Sequence, residues 1–168
     1  MTQTTEVRDL LQALETHRGF LRQTVRGMSD EQIGLRPTVS ALSLGGILKH
    51  VAHGEDRWIR FAVEGPRAIG DFDPAQMVEH EQQFALRASD TLASLLKTYE
   101  EVADRTAAVV AGVPDLDAVQ PLPTAPWFEP GACWSVRTVL LHVLAETAQH
   151  AGHADIIREA IDGAKTMG

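Results

Sequence analysis

A chain of 168 residues, 44% hydrophobic and 23% charged, has the composition of one globular domain and can bury a core without disulfides or a structural metal. A formal net charge of −8 with no cluster of Lys or Arg excludes nucleic acid as a partner, because phosphate binding needs a basic face. No apolar run approaches the roughly 20 residues that cross a bilayer, the start MTQTTEVRDLL lacks a signal-peptide pattern, and the single cysteine has no internal partner, so the expected location is a reducing cytoplasm away from membranes.

Four helical patterns follow in chain order, and no stretch alternates long enough for a strand. Val7, Leu10, Leu11, Leu14, Leu21 and Val25 keep helical spacing, which predicts a first helix from about Thr5 to Gly27. SDEQIGLRP reads as a loop with a short helical turn. Ser43 caps a second helix that runs to about Glu64, where Gly65-Pro66 ends it. A short helical piece is expected after Pro74. The third long helix runs from about Ser89 to Ala111, and Gly112 and Pro114 close it. Segment 112–133 is rich in proline and serves as a long crossover. Cys133, at its end, is expected to be a buried structural thiol. Ser135 caps the fourth helix, which ends near Asp162-Gly163. The expected fold is all-α: a four-helix bundle with long crossover loops, one domain over residues 1–168.

The fourth helix raises the functional question. In LLHVLAETAQHAGHADIIREAIDG (140–163), a step of about 100° per residue places Glu146 and His150 inside the stripe of Val139, Val143, Ile157 and Ile161. His142 and His153 lie on its flank. Glu146 and His150 are four apart and stack on adjacent turns. A buried unpaired carboxylate is costly, and a divalent cation removes that cost. The competing explanation is a hydrogen-bonded Glu–His pair in a wet core. On the second helix, ILKHVAHGEDRW puts His50 at the edge of the apolar face and His53 round towards solvent. His17 is expected to pack at the edge of the first helix, and His80 to be a surface residue.

His50, Glu146 and His150 supply two nitrogens and one carboxylate. That set suits Zn²⁺, and also Ni²⁺, Fe²⁺ or Co²⁺. Three protein ligands leave coordination positions open, as catalytic sites do. A thiol there would ionise, and a water would become a nucleophile. The residue types alone do not choose between these chemistries.

The segments SLGGILKHVAHGEDRW (43–58) and WSVRTVLLHVLAETAQHAGHADIIREAIDG (134–163) resemble the DinB-like superfamily of metal-binding four-helix bundles, and within it the mycothiol-dependent branch. Many DinB-like proteins place H-x-x-x-H on the last helix. Glu146 stands at the first of those positions here, which is similar to mycothiol S-transferases and mycothiol-dependent maleylpyruvate isomerases. The resemblance implies His50, Glu146 and His150 as metal ligands and mycothiol as cosubstrate. The isomerases usually carry an additional C-terminal domain, so a chain that stops soon after the fourth helix favours the S-transferase type. The implied activity is conjugation of mycothiol to electrophilic small molecules, a detoxification. The alternatives are a thiol-dependent isomerase, a metal-dependent hydrolase, and a non-catalytic metal or small-ligand binder induced under stress. His153 is a candidate for positioning thiol or water. Arg57, Asp155 and Trp127 are candidates for binding substrate, with Phe128 beside Trp127 at the pocket rim. By analogy with other DinB-like bundles, the expected assembly is a homodimer.

Overall fold

The computed structural model describes residues 4–70 and 82–166. The helical piece expected after Pro74 and the expected surface residue His80 lie outside the described residues.

Helix α1 (Thr5–Thr24) starts where the Thr4 hydroxyl accepts the Val7 N–H. The short turn expected in SDEQIG is α2 (Asp30–Ile33), closed by a capping box between Ser29 and Gln32. Helix α3 (Leu44–Glu64) begins at Ser43, as the sequence predicts, with the Ser43 hydroxyl accepting the Gly46 N–H. It stops at Gly65, whose φ of 77° and ψ of −160° suit only glycine, and a single 3₁₀ turn, Pro66–Ala68, follows. Helix α4 (Leu92–Gly112) begins later than the periodicity suggests. Asp90 explains the delay. Its carboxylate accepts the Arg87 N–H at 2.9 Å and Lys49 Nζ at 2.8 Å, and Thr91 then caps the helix through a reciprocal bond with Ser94. Helix α5 (Val136–Asp162) is capped by Ser135 and closed by Gly163 in the left-handed conformation.

The crossover before α5 holds a feature the sequence pattern does not predict. Strand β1 (Val119–Pro121) pairs antiparallel with β2 (Cys133–Ser135), with Val119 opposite Ser135 and Pro121 opposite Cys133. Three residues are too few to show alternation. Successive strand side chains point to opposite faces. Here Trp134 takes the covered face and Cys133 is exposed, which corrects the expectation of a buried thiol.

In the bundle, α1 packs along α5, and α3 packs against both α4 and α5. The core falls into two clusters. One gathers Leu21, Leu44, Leu48, Tyr99 and Ile157; the other gathers Leu14, Ile59, Phe61, Val110 and Val143. Each long helix places a buried polar residue where it passes from one cluster to the other: Arg18 on α1, Glu55 on α3, Thr106 on α4 and Thr147 on α5. The Arg18 guanidinium donates through Nε to Glu55 Oε2 at 3.1 Å and through Nη2 to Glu55 Oε1, and the Thr106 hydroxyl donates to the same carboxylate. This polar layer joins three helices at mid-height, the level at which the candidate site opens. Among the described residues no helix is long and apolar enough to cross a membrane.

Candidate metal centre

Leu48 and Val51 turn α3 towards the core, and that rotation carries His50 inward, where it is buried. On α5, Thr147 is fully buried, so its neighbours Glu146 and His150 face the same groove one turn apart. The three ligand-type side chains meet there. One donor atom from each of His50, Glu146 and His150 lies within 4.8 Å of the other two. Glu146 Oε2 is 3.6 Å from His150 Nε2 and 3.9 Å from His50 Nε2. The imidazole rings of His50 and His150 stand edge to face, 4.9 Å apart.

These spacings test the fit of a cation. Hydrogen-bonded nitrogen and oxygen sit at 2.7–3.2 Å, closer than either gap. Donors sharing one ion at about 2.0–2.1 Å stand roughly 3.3 Å apart at tetrahedral angles. The two gaps to Glu146 exceed that by about 0.3 and 0.6 Å, and all three donors lie within 4.8 Å of one another, so side-chain rotation that draws them inward would let them share one ion. The electrostatics agree. The two imidazoles, His150 first and His50 second, hold the Glu146 carboxyl well below the usual carboxylate range, against the opposing effect of burial. Glu146 is therefore an anion at neutral pH. His150 Nδ1 is buried with no hydrogen-bond partner among the described residues.

The three residues open onto a cavity of about 380 Å³. Its walls are largely aromatic: Trp58, Phe84, Trp127, Phe128 and His142 all line it. Trp58 stacks on Trp134 at 4.7 Å, and His142 sets its edge against Trp58 at 4.7 Å. Burial pushes the His142 imidazole below its ordinary pKa, while the Glu146 carboxylate pulls the other way. A cavity of this volume with apolar walls and a few convergent polar groups has the form of a small-molecule site.

The family model for mycothiol-S-transferase matches residues 9–163. The chain belongs to the mycothiol-S-transferase family. No curated protein matches it. Among solved structures, a conserved protein from Enterococcus faecalis superposes with a TM-score of 0.68 at 15% identity, covering 96% of this chain and 100% of that one. A protein from Streptococcus pneumoniae superposes with a TM-score of 0.64 at 16% identity, covering 96% of this chain and 91% of that one. At those identities the likeness shows the fold and nothing finer.

The other sequence candidates fall unevenly around this cavity. Arg57 lines it and donates from Nη2 to the Ile69 carbonyl at 3.3 Å. Trp127, 54% exposed, forms part of its wall with Phe128. His153 is exposed and packs its ring beside His150 at 5.5 Å. Asp155 points elsewhere: its carboxylate accepts the Thr166 N–H at 2.7 Å and holds the tail after α5. His53 is exposed, as the helix register predicts. His17 is partly buried at the edge of α1, against Phe20. Helical spacing puts His142 on the flank of the stripe, and no sequence pattern marks Phe84 or Glu55. Glu55 is among the residues around the cavity, but its buried carboxylate is held by Arg18, a pairing across 37 residues that no local pattern reveals. The register of α5 was the available signal for His142, since 142, 146 and 150 recur every four residues.

Proposed function

We propose that the chain is a metal-dependent mycothiol S-transferase that conjugates mycothiol to electrophilic small molecules, with Zn²⁺ as the favoured metal. The observation that carries this reading is the His50–Glu146–His150 cluster facing an aromatic-walled cavity. His50, Glu146 and His150 would hold the metal, and no fourth His, Cys, Asp or Glu joins them in the cluster among the described residues. A divalent cation at that position favours the ionised form of a neighbouring thiol. Glu146 contributes its negative charge on the cavity side, where its side chain is 41% exposed against 11% and 13% for the two histidines. Trp58, Phe128 and His142 line the space in which an apolar electrophile would come against the thiol. The thiol gives up its proton to solvent and its sulfur forms the new bond to the electrophile, which then either takes a proton at the adjacent atom, when it adds across a double bond or opens a strained ring, or releases its leaving group as an anion; no side chain need serve as nucleophile. Exposed Cys133 has no place in the reaction.

Steady-state rates with mycothiol, with a simple thiol and with no thiol test the proposal, each measured before and after chelation. Conjugation should require a thiol, prefer mycothiol and stop on chelation. Turnover of an ester or amide at equal rate without thiol would replace the transferase reading with a metal-dependent hydrolase.

A further inference from the structure

Residues 84–86 cross the N-terminal turns of α3 in close contact. A Cβ on Gly46 would run into the Phe84 carbonyl oxygen, and one on Gly45 would lie 3.0 Å from Leu86 Cδ1. The two glycines therefore form a seat that a larger residue would fill. Lys49 fastens the segment from the side. Its buried ammonium donates to the Ala85 carbonyl and to Asp90 Oδ2, both at 2.8 Å. The result is specific at residue 84. The Phe84 ring stacks on His50 with centroids 4.0 Å apart and planes 17° from parallel, and it leans on His150 at 5.9 Å.

We propose that Phe84 is a positioning residue for the metal centre: pinned by Gly46 and Lys49, its ring fixes the plane of the His50 imidazole and closes one side of the His–Glu–His cluster to water. This inference rests on the reading of His50, Glu146 and His150 as metal ligands. The physical need is plain. The imidazole torsion is broad and roughly two-fold, so backbone placement alone does not orient the ring. Metal-binding histidines are ordinarily oriented by a hydrogen bond to the second ring nitrogen. At His50 the stacked Phe84 ring adds a restraint of packing to any such bond. A parallel aromatic plane at van der Waals distance restricts rotation of His50. The same ring lowers the local dielectric, which strengthens the attraction between the Glu146 carboxylate and a cation.

The test is Zn²⁺ affinity by competition with a chromophoric chelator, together with the visible spectrum of the Co²⁺-substituted protein. Groups that orient a metal ligand are worth about 10–100-fold in affinity, and Phe84→Ala should weaken binding by at least about tenfold and alter the Co²⁺ bands. Phe84→Tyr keeps the plane and should restore both. Gly46→Ala, which touches no ligand, should reproduce the loss by lifting the Phe84 backbone. Leu141→Ala, at an exposed position of α5 outside the cavity, should leave affinity unchanged. Circular dichroism confirms folding of each variant, and Phe84→Leu replaces Phe84→Ala if the smaller residue unfolds the chain. Wild-type affinity and an unchanged Co²⁺ spectrum in Phe84→Ala or Phe84→Leu would overturn the inference while leaving the metal site intact. A wild-type chain that binds neither ion would overturn both.

Discussion

Replacing Arg18 by Met tests the polar layer beneath the site. The side chains of Arg18 and Glu55 are 3% and 0% exposed, so water reaches neither charge. Glu55 takes two bonds from Arg18 and one from Thr106. Without the guanidinium, the carboxylate keeps a single neutral donor in a dry environment. Breaking a buried pair from one side costs about 3–5 kcal/mol. The outer contact of Arg18 with half-exposed Glu15 adds less than about 1 kcal/mol. In a chain of this size each kcal/mol lowers the melting temperature by roughly 2–4 °C, so Arg18→Met should melt about 10 °C below the parent. Urea unfolding at constant slope measures the loss. The double variant Arg18→Met/Glu55→Leu should recover much of it, because a well-packed apolar replacement of an entire buried pair is often near neutral. A loss under about 1 kcal/mol in Arg18→Met, or a double variant no more stable than the single one, would refute this reasoning.

Other outcomes follow from single features of the structure. Burial lowers the His142 pKa, so its contribution to stability is complete above the ordinary value of about 6.5 and is lost as pH falls through the folded value. In chelated protein, His142→Phe should therefore flatten the decline in urea midpoint between pH 7 and pH 5. Gly65→Ala should cost about 1–3 kcal/mol in the same assay, since a Cβ there meets Gln120 Oε1 at 2.9 Å on a backbone that suits only glycine. Cys133 is exposed, so the folded protein should react with a thiol-specific reagent, and Cys133→Ser should leave mycothiol conjugation unchanged.

The parts legible in the sequence are those governed by local rules. Helical spacing and the caps Ser43 and Ser135 placed α3 and α5 where the structure has them. Rotation of α5 brought Glu146 and His150 to one face, and α3 offered His50 opposite. The parts that escaped depend on contacts between distant segments. The β1–β2 ribbon is too short to have a period, and it alone decides that Trp134 faces inward and Cys133 outward. Nothing in the local sequence marks Arg18 and Glu55, because their pairing exists only once α1 and α3 are packed together. Phe84 follows the polar run EHEQQ, and its value lies in where Gly46 and Lys49 pin it, which the sequence does not announce. Asp155 is a sequence candidate for binding substrate, yet its carboxylate serves the tail after α5. Five residues at about 100° each turn Asp155 some 140° from His150 on the helix, so nearness in sequence does not place a side chain in the cavity.

Metal content per chain is the most direct test of the central claim that His50, Glu146 and His150 form one metal site. Elemental analysis should find one divalent ion in the wild-type chain and in His53→Ala, and most of that metal should be lost in His50→Ala, Glu146→Ala and His150→Ala. Full metal occupancy in His150→Ala, with the fold intact by circular dichroism, would contradict the account.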